Sequence, residues 1–189
     1  MNVRAMQRTR STHQLTRVNA YSDGSCDNSK TRANARKGGI GVIMSITDGV
    51  SLEWKRYSEG QYLETTSARM EIRGLLRILE ESPIPCNLTA YIDNQYVCYT
   101  ISKGWLFNWI SQGILDEKQN SDLWKEVLSI YDKHKVAGSV ITINWIKGHD
   151  GNILNETVDL LANEGRKNGE LRIICREQYA KERISNCNT

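Results

Sequence analysis

Apolar and polar positions alternate over "NAYSDGS", residues 19–25, and a short apolar run follows in "GGIGVIMSI", 38–46. "SLEWKRY", 51–57, comes after the turn residues Asp48 and Gly49, and the three segments predict a meander of antiparallel strands. The period then lengthens. In "TTSARMEIRGLLRILEES", 65–82, Ala68, Ile72, Leu75, Leu76 and Leu79 fall on one helical stripe, which Thr65 or Thr66 can cap and Pro83 closes. "NLTAYID" reads as a short strand and "NQYVCYTISKG" as a helix ending near Gly104. A second amphipathic helix, "SDLWKEVLSIYDKHK", groups Leu123, Val127, Leu128 and Tyr131; "SVITINWI" is the last strand and "NETVDLLANEGRKNG" the last helix. Three meandering strands followed by alternating helix and strand predict an α/β fold. Its sheet is mixed and five-stranded, three antiparallel strands and then two parallel, with helices on both faces. No repeat or second domain is visible.

Four acids break this pattern. Asp93 ends an apolar strand, where ligands gather in sheets with parallel strands. Asp23 lies inside a strand, where an unpaired charge is costly and Asp propensity is poor. Glu71 interrupts the buried side of its helix beside Ile72 and Leu75, and Asp159 sits among Val158, Leu160 and Leu161. Taken singly, Glu71 and Asp159 read as solvated helix-face residues, and Asp93 reads equally well as the cap of the next helix. Asp23 has neither explanation. Four acids converging on one point repel unless a cation binds them, and oxygen ligands without a His or Cys pair point to Mg²⁺ or Mn²⁺.

Charge and cysteine usage narrow the setting. The net charge is +3, but Arg4, Arg8, Arg10 and Arg17 lie in a first segment without acids, so the rest of the chain is slightly acidic. Residues 1–17 are expected to form a flexible basic arm, and residues 170–189 a C-terminal basic extension around the domain 18–169. The five cysteines are odd in number and never spaced C-x-x-C, which argues against a disulfide framework or a zinc knuckle and for a reducing compartment. A cytoplasmic protein is expected, with an organellar presequence in the arm as the lesser alternative.

"YSDGSC", "TTSARMEIRGLL", "YIDNQYV" and "WIKGHDGNILNETVDLLAN" stand in the order and spacing of type 1 ribonuclease H, and the stretch from Val18 to Gly169 resembles that domain. The resemblance implies an endonuclease that hydrolyses the RNA strand of RNA/DNA hybrids, leaving 5′-phosphate and 3′-hydroxyl ends. Its catalytic acids fall on Asp23, Glu71, Asp93 and Asp159, the metal ligands, and its mobile-loop histidine on His149 of "KGHDGN". Two Mg²⁺, with Mn²⁺ possible, are implied roughly 4 Å apart, clamping an in-line displacement at phosphorus. Asp23 is then the shared ligand, Asp159 completes the ion that activates water, and Glu71 and Asp93 hold the ion at the leaving oxygen. His149, flanked by Gly148 and Gly151, is expected to assist proton transfer or product release.

The partner implied is a hybrid duplex, bound by a monomer. Gly24, Ser25 and Cys26 are expected to approach the ribose 2′-hydroxyl, and Thr65 and Thr66 to hold a DNA phosphate at a helix N-terminus. Asn94, Gln95 and Asn155 join the expected substrate contacts. Two departures stand out. Ser67 and Ala68 occupy places where similar enzymes carry amides, and Asn94 stands where Ser or Ala is usual. The protrusion after Gly104 keeps Trp105, Trp109 and Trp124 but balances five Lys with five acids between Lys103 and Lys135, so affinity is expected to lean on the arms. Core packing is the competing reading for those tryptophans. The first 17 residues are too short for a separate hybrid-binding domain. An integrase does not fit "GHDGN" followed by "NETVD", and a noncatalytic hybrid-binding module does not fit the retention of all four acids.

Overall fold

The computed structural model describes residues 15–27 and 36–169, with Gln61 described by its backbone alone. Five strands, β1 (Thr16–Cys26), β2 (Gly38–Thr47), β3 (Leu52–Tyr62), β4 (Cys86–Ile92) and β5 (Val140–Trp145), form one sheet in the order β3-β2-β1-β4-β5. β2 lies antiparallel between β1 and β3, whereas β4 runs parallel to β1 and β5 parallel to β4. The mixed sheet expected from the alternation is therefore present. It starts earlier than expected: Arg17 pairs with Thr47 on one side and Asn87 on the other, so Thr16 and Arg17 belong to the sheet and not to the arm. Residues 1–14 and 170–189, which hold the rest of the expected arm and the C-terminal extension, lie outside the described residues.

Among the described residues the α-helices are α1 (Ser67–Glu81), α2 (Gln95–Ser102), α3 (Trp105–Ser111), α4 (Ser121–Val136) and α5 (Ile153–Asn168). α1 drives Ile72, Leu75, Leu76, Ile78 and Leu79 into the main core, each 2% exposed or less. Each contributes at most about 1.5–3 kcal/mol by burial. Because α1 packs on both the sheet and α4, its burial extends past the expected stripe to Met70 and Ile78. Arg69 binds both oxygens of Asp122 at 3.0 and 2.6 Å and ties the two helices together.

Alternation along β2 decides what each face meets. Val42, Met44 and Ile46 enter the main core, while Gly39 and Gly41 meet α5. A Cβ on Gly41 would lie 2.0 Å from the Val158 carbonyl oxygen, and one on Gly60 1.9 Å from that of Gly165. The backbone of α5 thus rests on strand backbone with no side chain between them, which brings the acid it carries down to the end of β1.

The protrusion differs from a plain loop. After Gly104, whose φ of 73° suits glycine, α3 forms, and a 3₁₀ turn follows at Leu115–Glu117. Seven residues hold too few turns for a clear hydrophobic period, so this helix escapes detection in the pattern. Leu106 is fully buried, and so is Trp124, whose Nε1 donates to the Tyr96 hydroxyl at 2.9 Å. No helix among the described residues is long and apolar enough to cross a membrane.

Candidate active site

Parallel register builds the first half of the site. Ser22 pairs with Ile92, so the next residues, Asp23 and Asp93, leave adjacent strands side by side at their carboxyl ends. Glu71 reaches them because α1 crosses β1 at glycine: a Cβ on Gly24 would lie 2.5 Å from the Glu71 amide nitrogen, and one on Gly74 2.9 Å from the Ser22 Cβ. Ligand atoms of Asp23, Glu71 and Asp93 all lie within 4.8 Å of one another. Asp159 comes from α5. All four acids line one open cleft of about 510 Å³, together with Gly24, Ser25, Cys26, Ser67 and His149.

The electrostatics of this cluster call for a cation. Burial, then the charges of Asp93 and Asp159, push the Asp23 carboxyl up to about 7, against the pull of the Gly24 amide that donates to its Oδ1 at 2.7 Å. Burial, followed by Asp23 and Asp93, raises Glu71 well above the carboxylate range, and its Oε2 is enclosed with no hydrogen-bond partner among the described residues. Closely set carboxylates with an unmet buried oxygen fit a hard divalent ion, which would neutralise them and take up the free lone pairs. Asp23, Glu71 and Asp93 are placed to hold it, and Asp159 lines the same cleft.

Asp93 is not the helix cap. Asn94 performs that task, its Oδ1 accepting from the Val97 amide at 3.2 Å, so the Asp93 carboxylate is free to face the cleft. The same bond engages the side chain of Asn94, which was expected as a substrate contact. Asn155, expected as a substrate contact, is only 2% exposed and donates from Nδ2 to the Asp93 Oδ2 at 3.2 Å. Trp145 Nε1 donates to the Asp93 carbonyl at 2.9 Å, and a Cβ on Gly148 would lie 2.9 Å from its Oδ2. Asn155 thus holds the carboxylate, Trp145 holds the Asp93 backbone, and glycine at 148 leaves room for the carboxylate beside it.

The remaining expected residues divide. His149 is exposed on the loop between β5 and α5, in left-handed backbone at φ 52°, and Asn152 holds the far end of that loop by accepting from the amides of Leu154 and Asn155. Thr66 caps α1 by accepting from the Arg69 amide at 3.3 Å. Thr65 is buried at 1% exposure, so its hydroxyl is not presented to solvent as a phosphate contact requires. Gln95 is exposed on the first turn of α2. Trp105 and Trp109 do not line the cleft; Trp105 packs edge-on to Tyr99 at 6.0 Å, and Trp109 lies against the core with the Lys118 ammonium 5.8 Å from its ring centre.

Asp27, Asn163 and Arg166 line the cleft without having been singled out in the sequence. Asn163 and Arg166 follow Asp159 by four and seven residues, on the same face of α5, and that spacing is the signal that could have found them. Asp27 offers no such signal.

The ribonuclease H family model matches residues 16–167. A ribonuclease H of Lachnoclostridium phytofermentans is 37% identical over 160 residues, spanning 82% of this chain and 95% of that protein. A ribonuclease H of Francisella tularensis subsp. novicida is 38% identical over 152 residues, spanning 78% and 90%. Among solved structures, a type 1 ribonuclease H with the type 2 active-site motif superposes with a TM-score of 0.67 at 22% identity, covering 82% of this chain and 74% of that one. A foamy viral protease-reverse transcriptase in complex with RNA/DNA hybrid superposes with a TM-score of 0.63 at 16% identity, covering 82% of this chain and 20% of that one. The family model spans most of the chain, the two relatives are each at least 37% identical over more than three quarters of it, and the chain belongs to the ribonuclease H family of enzymes.

Proposed function

We propose that the chain is an endonuclease that hydrolyses the RNA strand of RNA/DNA hybrids and leaves 5′-phosphate and 3′-hydroxyl ends. The observation that carries this reading is the convergence of Asp23, Glu71 and Asp93 within 4.8 Å, with Asp159 lining the same cleft. The relatives named ribonuclease H, and the foamy viral enzyme captured with a hybrid, support the substrate class.

Two Mg²⁺ ions, or Mn²⁺ in their place, held by these four acids, would supply the charge that activates a water for in-line attack and stabilises the leaving 3′ oxygen. Asp23, whose neighbours are Glu71, Asp93 and Asp159, would be the ligand they share. Asn155 holds the Asp93 carboxylate and Trp145 its backbone, and Gly148 leaves the carboxylate room. His149 is assigned to proton transfer or product release at the cleft mouth, which its exposed, glycine-flanked loop allows.

Recognition rests on the cleft floor. The backbone of Gly24, Ser25 and Cys26 is assigned to the ribose 2′-hydroxyl, the group that distinguishes RNA from DNA in a shallow minor groove. Ser67 and Gln95 are assigned to the groove beside it. The free amides at the start of α1, with Thr66, are assigned to a DNA phosphate. Trp105 and Trp109 on α3 remain candidate contacts for the hybrid, with the basic ends of the chain supplying more of the affinity. A monomer acting in the cytoplasm completes the proposal; the free thiols of Cys26, Cys86 and Cys98 agree with a reducing compartment.

The test is a panel of end-labelled duplexes incubated with Mg²⁺. RNA/DNA is expected to be cut in its RNA strand, with ligatable 5′-phosphates, while RNA/RNA and DNA/DNA stay intact. Equal cutting of RNA/RNA, or products with 5′-hydroxyl ends, would overturn the assignment.

A further inference from the structure

Asp159 stands on α5, apart from the close trio, and a line of side chains crosses the cleft floor to reach it. Asn163 Nδ2 donates to the Asp159 Oδ1 at 2.9 Å and to its carbonyl oxygen at 3.0 Å. An amide can turn end for end, and the contacts on the other side of Asn163 decide which end meets Asp159. Its Oδ1 accepts from the Ser25 hydroxyl at 2.8 Å and from Arg166 Nη2 at 3.4 Å. Ser25 is committed in turn, because its Oγ accepts from Arg166 Nε at 2.9 Å and so turns its own proton toward Asn163. Arg166 ends the line in an ion pair with Asp27. With donors converging on Oδ1, the amide group of Asn163 must face the carboxylate.

Resting on the assignment of Asp159 to a metal, we infer that Asn163, oriented by Ser25 and Arg166, is a positioning residue that aims the Asp159 carboxylate at the ion. It occupies one oxygen of Asp159 and leaves Oδ2 for the cation. The line is not needed to seat the helix. Glycine contacts already do that: a Cβ on Gly39 would lie 2.3 Å from the Arg166 amide nitrogen. What the amide adds is direction, in the way that partners of ligating carboxylates restrict their orientation. The line also joins β1 to α5 and so connects Ser25, assigned to the ribose region, with Asp159, assigned to the metal.

The experiment uses the full chain and the variants Asn163→Ala, Asp159→Asn and their combination. Mn²⁺ binding to the protein without nucleic acid is read by electron paramagnetic resonance, alongside kcat, KM for a hybrid and the thermal midpoint. Asn163→Ala is expected to weaken Mn²⁺ binding and lower kcat, each by about 10-fold or more, with KM and the midpoint unchanged. In the Asp159→Asn background, Asn163→Ala should add nothing to the loss of Mn²⁺ affinity. Arg166→Lys keeps a charge beside Asp27 but removes the Nε–H that fixes Ser25, and should show a smaller loss of the same kind. Wild-type affinity and kcat in Asn163→Ala, with Asp159→Asn inactive, would overturn this inference alone, as would an undiminished effect in the double variant. Full activity in Asp159→Asn would overturn the metal assignment and this inference with it.

Discussion

Asp23 keeps its proton up to about 7 because burial and the charges of Asp93 and Asp159 disfavour the carboxylate, whereas in the unfolded chain it loses that proton near 3.8. Between those values the folded state binds more protons than the unfolded one, so the stability of the metal-free protein falls as pH rises and remains low above about 7. Asp23→Asn removes the cost. In chelator, at a pH of about 8, denaturant unfolding is expected to show the variant more stable than the wild type, by up to about 4 kcal/mol at about 1.36 kcal/mol per pKa unit. Near pH 4 the difference should vanish. A wild type that outlasts the variant at the higher pH would contradict the electrostatic picture. The residue scale was also where the sequence was read least completely. Placing Asp23 inside a strand exposed its anomaly, but deciding between cap and ligand for Asp93 needed the bond from Val97 to Asn94. The burial of Thr65 and Asn155 depends on chain segments that meet only in the fold.

At the scale of elements, the close seat of α5 on β2 and β3 determines where Asp159 and Asn163 end up. Gly41→Ala would place a methyl 2.0 Å from the Val158 carbonyl oxygen, against backbone that has no rotamer to yield. The helix must lift. The expected outcome is a stability loss of at least about 1–3 kcal/mol by thermal or denaturant melting, with reduced Mg²⁺-dependent cleavage. A variant that melts and cleaves as the wild type does would show that this contact does not set the helix position. The strands and the long helices were legible because their hydrophobic periods extend over several turns or alternations. α3 was not, because Trp105–Ser111 is too short to show a period and buries little besides Leu106. The glycines at 39, 41, 60 and 165 hold no hydrophobic signal, although they fix the approach of α5.

Across the whole molecule, charge is distributed unevenly. The cleft gathers Asp23, Asp27, Glu71, Asp93 and Asp159 against Arg166, while the segment containing α3 and α4 carries balanced charge. An anionic duplex must therefore find cations elsewhere, and the Arg-containing first segment offers them. Because Thr16 and Arg17 belong to β1, the appropriate truncation removes residues 1–14 only. Binding of a noncleavable hybrid across a salt titration is expected to show lower affinity and a shallower salt slope for the truncated chain. Identical slopes would remove the arm from recognition.

On the proposed function, the four acids act as one metal-dependent hydrolytic centre. The most direct measurement follows single-turnover cleavage of an RNA/DNA hybrid by the wild type and Asp93→Asn, each with Mg²⁺ and with chelator. Efficient cleavage is expected only from the wild type with Mg²⁺, with a rate for Asp93→Asn lower by about 1000-fold or more. Cleavage that survives the substitution, or that proceeds in chelator, would contradict this reading.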